Sequence, residues 1–437
     1  MTRMTRSFAG KAAVGAAAAA ALLLAGCSAP AQSGGFDPDE EIALSIAWWG
    51  NDERAAIMAE VIDLFEAEYP NITVTEEPVG APDDLFNRLA TDFGSGGSTA
   101  PDVFALGGAK PQEYGAAGTL LDLSTVSDYL DTGNYEDFTT TSATVDGTLY
   151  GLPTGGNAIG MLVNVDLFEQ AGVDVPEGQW TWEDLVEAAN AISAAAPNGA
   201  VGLDLRIQDI LGTYSAQITD YGLYTPDGEL GVDAADIASW FEIEQELLAG
   251  GGLPDPTVVV EHWNVTPDLS LFGTGRAAIT FSYSNQIGAY TAALGGAEVQ
   301  IVAPPTSTDV SGVSVLPSQY WAINSATDHP EAAAMLVEWL LNTPAAAEII
   351  LANRGLPFNP DTLAVVEPLL NPADATAAAY LTRVLEIGVV APPQPAGGGI
   401  LNELSQRMES EVLFGRLSAD AAAEQWISEL GASLAKG

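Results

Sequence analysis

The sequence predicts an α/β protein built as two lobes. Three observations carry this. Short apolar strand-like runs alternate with helix-like segments. Beyond its leader the chain has about 400 residues, long for a single core. Apolar residues make up 47% of it, enough to fill two cores. The first folded element is residues 42–49, where Ile42, Leu44 and Ile46 interleave with Ala43, Ala47 and Trp48. A run apolar on both faces is the mark of a strand inside a parallel sheet. Gly50-Asn51-Asp52 turns the chain into a helix with Ile57, Met58, Val61, Ile62, Leu64 and Phe65 along one side. Pro70-Asn71 stops it, Ile72-Thr73-Val74 is a second strand, and Leu85, Leu89 and Phe93 mark a second helix. Gly94 to Gly97 ends that helix, residues 103–106 are a third strand, and Gly107-Gly108 is a turn. Further on, Thr181 precedes acidic residues as an N-cap, and His329-Pro330 and Thr343-Pro344 start helices with Pro at the first position. Residues 391–399, rich in Pro and Gly, form a long loop of the kind that is often functional.

The N-terminus reads as a secretory leader over residues 1–26. Arg3, Arg6 and Lys11 form its basic region, and residues 12–24 are an apolar run too short to span a membrane. The run ends in Leu24-Ala25-Gly26-Cys27, which resembles the bacterial lipobox. The resemblance implies cleavage before Cys27 and lipidation of its thiol, and it accounts for the one cysteine in the chain. Residues 27–41, polar with Gly and Pro, are then a linker between anchor and fold.

The net charge of −46, from 59 acids against 13 bases, excludes nucleic-acid binding and repels anionic lipid surfaces. It also disfavours an anionic solute and favours a neutral or cationic one. Acidity that serves only solubility outside the cell is compatible with the same reading.

Six segments, in order, resemble the family 1 extracellular solute-binding proteins of carbohydrate ABC importers, relatives of maltose-binding protein. They are residues 46–70, ending Phe65-Glu66-Ala67-Glu68-Tyr69-Pro70; Ala100-Pro101-Asp102-Val103-Phe104 with residues 117–123; residues 145–153; Asn164-Val165-Asp166-Leu167-Phe168 with Trp180 to Leu185; Phe272-Gly273-Thr274-Gly275-Arg276; and Trp321-Ala322-Ile323-Asn324 with His329-Pro330-Glu331. The resemblance implies a type II periplasmic-binding-protein-like fold, with two α/β lobes hinged by crossing strands near residues 153–159 and 316–323. It assigns 42–153 plus 320–365 to the N-terminal lobe and 158–316 plus 366–437 to the C-terminal lobe. It implies a monomeric receptor that takes a small carbohydrate and hands it to the transmembrane subunits of an ABC permease. The chain would touch the membrane only through its lipid anchor and need no cofactor or metal.

A sugar site needs apolar faces for the ring CH patches and planar polar groups for the hydroxyls. Ligands in α/β sheets sit beyond the carboxyl ends of strands. Trp48 and Trp49 alternate across the first strand, and Trp49, nearer its end, is the cleft candidate. Asn51, Asp52 and Glu53 are either helix caps or hydroxyl ligands. Lys110 is either a solvated charge or a ligand. After the strand 277–281, Tyr283 and Asn285 stand where the family places contacts, with Tyr283 replacing the aromatic that relatives carry near Asn285. Trp321 is either a cleft residue or a buried hinge residue, and Trp263 is a cleft candidate in a loop. Trp180, Trp182, Trp240, Trp339 and Trp426 read as core.

The two histidines, His262 and His329, have no nucleophile or zinc-ligand pattern around them, and no phosphate or dinucleotide loop is present. The chain therefore reads as a binder, not an enzyme. The rivals are a lipoprotein glycoside hydrolase, since paired carboxylates suffice for that chemistry, and a receptor for a polyol, peptide or polyamine.

Overall fold

The structure, a computed structural model, describes residues 36–436 apart from 177, 197–198, 390–391, 393 and 396. The leader, Cys27 and most of the linker lie outside the described residues, as does part of the 391–399 loop. Residues 36–40 form a short turn of their own, closed by the Glu40 amide on the Asp37 carbonyl at 3.2 Å.

From residue 41 on, the strands are β1 (Ile42–Trp49), β2 (Ile72–Val79), β3 (Val103–Leu106), β4 (Thr144–Val145), β5 (Thr148–Leu149), β6 (Gly151–Pro153), β7 (Gly156–Asn164), β8 (Val201–Asp204), β9 (Ala277–Tyr283), β10 (Val299–Val302), β11 (Val315–Pro317) and β12 (Tyr320–Ile323). They assemble into two five-stranded sheets and the β4–β5 hairpin. The first sheet runs β2-β1-β3-β12-β6. The second runs β10-β7-β9-β8, with β11 added on β7.

The sequence explains each sheet. β1 pairs parallel with both β2 and β3 along its edges, and the helices Pro82–Gly94 and Pro330–Asn342 pack on it, so Ile42, Leu44, Ile46, Ala47 and Trp48 are buried while Ala43 stays exposed. The helix Asp52–Glu68 then crosses back. The Asn51 side chain accepts from the Arg54 amide at its start, and Met58, Val61, Ile62 and Phe65 form its buried stripe. In the second sheet, all nine residues of β7 are buried; it is an inner strand, paired with β11 over 156–158, with β9 over 159–163 and with β10 over 161–164. The helix Trp182–Ala195 begins in a capping box of Thr181 and Asp184. It lies so close on β8 that a Cβ on Gly202 would sit 2.2 Å from the Ala189 carbonyl oxygen. The second core gathers Phe168, Trp182, Trp240, Phe241, Phe281, Met408 and Trp426 between this sheet and the C-terminal helices.

The chain passes between the sheets at 153–156 and at 317–320, and the two passages are stitched together. The Thr154 amide donates to the Gln319 carbonyl at 2.8 Å, and the Ser318 amide to the Gly155 carbonyl at 2.8 Å. A third segment locks on: Gly156 and Leu356 exchange backbone hydrogen bonds of 2.8 and 3.2 Å. A side chain at Gly155 would press into Gly355, with Cβ only 2.6 Å from its carbonyl carbon. Buried Arg354 completes the joint. Its Nη1 donates to Gln319 Oε1 at 2.7 Å, and its guanidinium lies 4.7 Å from the Trp321 ring centroid. Among the described residues no single helix is long and apolar enough to cross a membrane.

Candidate functional site

A cavity of about 370 Å³ opens where the two sheets face each other, within the range of small-molecule sites. The first sheet's side contributes Gly108, Thr141 and Ser142; the joint contributes Ile159 and residues 314–317; the second sheet's side contributes Gln208, Asp209, Tyr221, Tyr224 and Tyr283.

The second-sheet wall is built by adjacent strand ends. β8 and β9 are parallel, with Leu203 opposite Ile279 and Asp204 opposite Thr280. Both chains therefore leave the sheet on the same side. After β8, Leu205 and Arg206 lead into the helix Ile207–Ile218, whose first turn carries Gln208 and Asp209. After β9, Tyr283 stands beside them on the cavity wall, 39% exposed. It is exposed to a concavity while protein surrounds it on the scale that a charge feels. Burial and the neighbouring Asp209 carboxylate accordingly push its hydroxyl up to about 12.

The charges nearby are few, and of them Asp209 alone is on the wall among the described residues. Asp204 is buried and accepts from the Phe272 amide at 3.1 Å. Burial pushes its carboxyl up from the ordinary range, while Arg206 and the loop amides pull the other way. Arg206 is buried too. Its Nη2 donates to the Val265 carbonyl at 3.3 Å, and its Nε has no partner among the described residues. Asp209 is pushed up to about 6 by burial, which outweighs the attraction of Arg206, and the Asp204 charge adds to the rise. Gln208 is held in place by donating to the Trp263 carbonyl at 3.3 Å and accepting from Gln406 at 3.2 Å. Among the described residues no group of three or more His, Cys, Asp or Glu side chains is placed to hold a metal.

Of the residues singled out from sequence, Tyr283 lies on the cavity wall. Trp48 is fully buried and Trp49 half-buried. Trp49 packs edge-on to Phe86 at 5.5 Å and rests on Gly107, next to wall residue Gly108. Asn51 spends its carboxamide oxygen on the Arg54 amide at 3.0 Å. Asp52 and Glu53 are exposed in the first turn of that helix. Lys110 pairs with Glu113 at 2.6 Å and sits 5.5 Å from the Tyr114 ring. Asn285 is exposed in the turn after β9.

Two tryptophans stand elsewhere than on the cleft surface. Trp321 is buried because β12 is an interior strand, paired with β3 and β6, and Arg354 covers its ring. Trp263 is buried in the second core, following directly on the helix Pro256–His262, with its indole beside Glu409.

The wall also holds residues the sequence reading passed over, chiefly Gln208, Asp209, Tyr221 and Tyr224. The strand-end rule that picked out Trp49 would have found the first two, had it been applied to the 201–204 strand.

Comparison with known proteins places this geometry. The family model described as "Bacterial extracellular solute-binding protein" matches residues 48–347. A putative binding protein of Brucella abortus is 26% identical over 417 residues, covering 95% of this chain and 98% of that one. The lactose-binding protein of Rhizobium radiobacter is 27% identical over 200 residues, 44% of each chain. Among solved structures, a periplasmic oligogalacturonide-binding protein from Yersinia enterocolitica superposes with a TM-score of 0.76 at 21% identity, covering 91% of this chain and 99% of that one. That last likeness establishes a shared two-lobed fold.

Proposed function

The chain belongs to the bacterial extracellular solute-binding proteins, which are receptors of transporters and not enzymes, and from that premise we propose that it captures a neutral mono- or oligosaccharide between its lobes. The observation that carries this reading is the chemistry of the cavity wall. Tyr221 and Tyr283 offer exposed aromatic surface, Gln208, Thr141 and Ser142 offer amide and hydroxyl groups, and no Lys or Arg is on the wall among the described residues. Tyrosine faces suit the CH patches of a sugar ring, and convergent polar groups suit its hydroxyls.

The bound form would be delivered to the transmembrane subunits of an ABC permease. Closure would come from bending at the stitched passages 153–156 and 317–320, with 42–153 plus 320–365 moving against 158–316 plus 366–437. The Leu24 to Cys27 motif supports export and lipid anchoring of the mature chain to the outer face of the cell membrane.

The test is a calorimetric and thermal-shift screen of the purified mature protein against lactose, maltose, trehalose and mannitol. A neutral carbohydrate should raise the melting temperature by mass action on the native state and be recovered chemically intact. Shortened sugars in the recovered ligand, or no stabilisation by any of the three sugars, overturn the reading, and stabilisation by mannitol alone makes the protein a polyol receptor.

A further inference from the structure

We infer that Asp209 decides which solutes the cleft accepts: its carboxylate receives hydroxyl donors of a neutral sugar, turns away a uronate, and loosens its hold in acid. This deepens the carbohydrate reading above and rests on it.

The first ground is an acceptor on the wall that no protein donor among the described residues occupies. Asp209 lines the cavity from the first turn of the helix Ile207–Ile218. Its own amide is used on the Arg206 carbonyl at 3.0 Å, but no donor among the described residues reaches its carboxylate. The neighbouring Asp204 differs, since the Phe272 amide meets it at 3.1 Å. Asp209 is half-buried and open to the cavity, so sugar hydroxyls entering the cavity serve its carboxylate as donors in place of solvent.

The second ground is the surrounding field. Asp209 is the only charged residue on the wall among the described residues. Arg206 lies close enough to favour the ionised form, yet it is buried behind the wall and directed at the Val265 carbonyl. A uronate would bring a second carboxylate into a cavity with no exposed cation to meet it. The fold shared with an oligogalacturonide-binding protein therefore does not extend to that protein's ligand.

The third ground is proton linkage. The groups that act on Asp209 are Arg206 and Asp204 at the end of β8, with Tyr283 at the end of β9 and Tyr290 on the helix Ile287–Ala293 also in its field. His262 acts on Asp204 from behind and has its Nε2 2.8 Å from Arg276. Burial dominates and raises Asp209 to about 6. Below that pH the group is a carboxylic acid and a poorer acceptor; above it, the carboxylate accepts fully. Affinity for a neutral sugar therefore rises with pH through about 6 and levels off above it.

The experiment is isothermal titration of the mature protein from pH 5 to 8 with the neutral sugar that binds best from the four-member screen, and with digalacturonate. Asp209→Asn should bind the neutral sugar roughly 10- to 100-fold more weakly at pH 7.5 and lose the rise near pH 6. Asp209→Glu should keep the rise while binding more weakly than the native protein. Digalacturonate should not bind the native protein measurably. Native-like affinity and pH profile in Asp209→Asn, or digalacturonate binding as tight as the neutral sugar's, overturns this inference and leaves the carbohydrate reading standing. Failure of the native protein to bind any sugar of the screen removes the carbohydrate reading and this inference together.

Discussion

Two buried glutamates make a sharp test of the second core. Glu244, on the helix Ala234–Gly250, is 0% exposed, and its Oε1 accepts from Trp240 Nε1 at 2.5 Å. Glu409, on the helix Leu401–Leu413, is equally buried, with the Trp263 indole beside it. Burial pushes both carboxyls up, and the Glu244 charge pushes Glu409 up further. Glu244 rises to about 8 from the ordinary 4.5. In the unfolded chain both carboxyls release their protons near the ordinary value, whereas the native protein retains them to much higher pH. The native state then holds more protons, so stability is full below the ordinary carboxyl range and drains away as pH rises through the native value. At ~1.4 kcal/mol per pH unit, the Glu244 rise corresponds to a ceiling of about 5 kcal/mol. Because the two groups titrate as a pair, Glu244→Gln should recover part of it. The amide keeps an acceptor for Trp240 but cannot ionise. Urea unfolding followed by tryptophan fluorescence, from pH 5 to 9, should show native and Glu244→Gln proteins close together at the acid end. The variant should be more stable by about 2–3 kcal/mol at pH 9. Parallel pH profiles would refute the argument, because they would mean that the native pair holds no extra proton.

Trp321→Ala should destabilise the protein by about 3–5 kcal/mol, since it empties a fully buried site and uncovers Arg354; sugar affinity of the folded fraction should be unchanged, and a folded variant that loses affinity would place Trp321 in the site. Gly202→Ala should cost about 3 kcal/mol or more, measured by urea unfolding, because the backbone of Ala189 at 2.2 Å cannot give way; a native-like midpoint would contradict that close approach. Cys27→Ser should leave an unprocessed precursor or release the protein into the medium, scored by fractionation and mass spectrometry, and unchanged membrane attachment would dispose of the lipid anchor.

Much of the architecture is written locally. The two-faced apolar run at 42–49 reads as an inner strand, and it lies between β2 and β3 with helices packed on it. Thr181 with Asp184, and the prolines at 330 and 344, start helices by hydrogen bonds and backbone angles that involve only near neighbours. The charge balance, and the order of short motifs from residue 46 to residue 331, identify the receptor class without any contact being known. The roles of individual aromatics are a different matter. Trp49 and Trp321 look alike in sequence, each at or near a strand that leads toward the cleft. Trp321 is lost to the solvent because Arg354, from a loop 33 positions later in the chain, folds over it. Asp209 is an ordinary acid in the first turn of a helix until Tyr283 and the joint residues enclose it. Glu244 and Glu409 read as helix surface positions until their two helices pack face to face in the second core. Caps, strand patterns and composition depend on neighbours along the chain and so can be read from it. Burial, pairing and acidity depend on which distant segments arrive, and only the tertiary structure decides that.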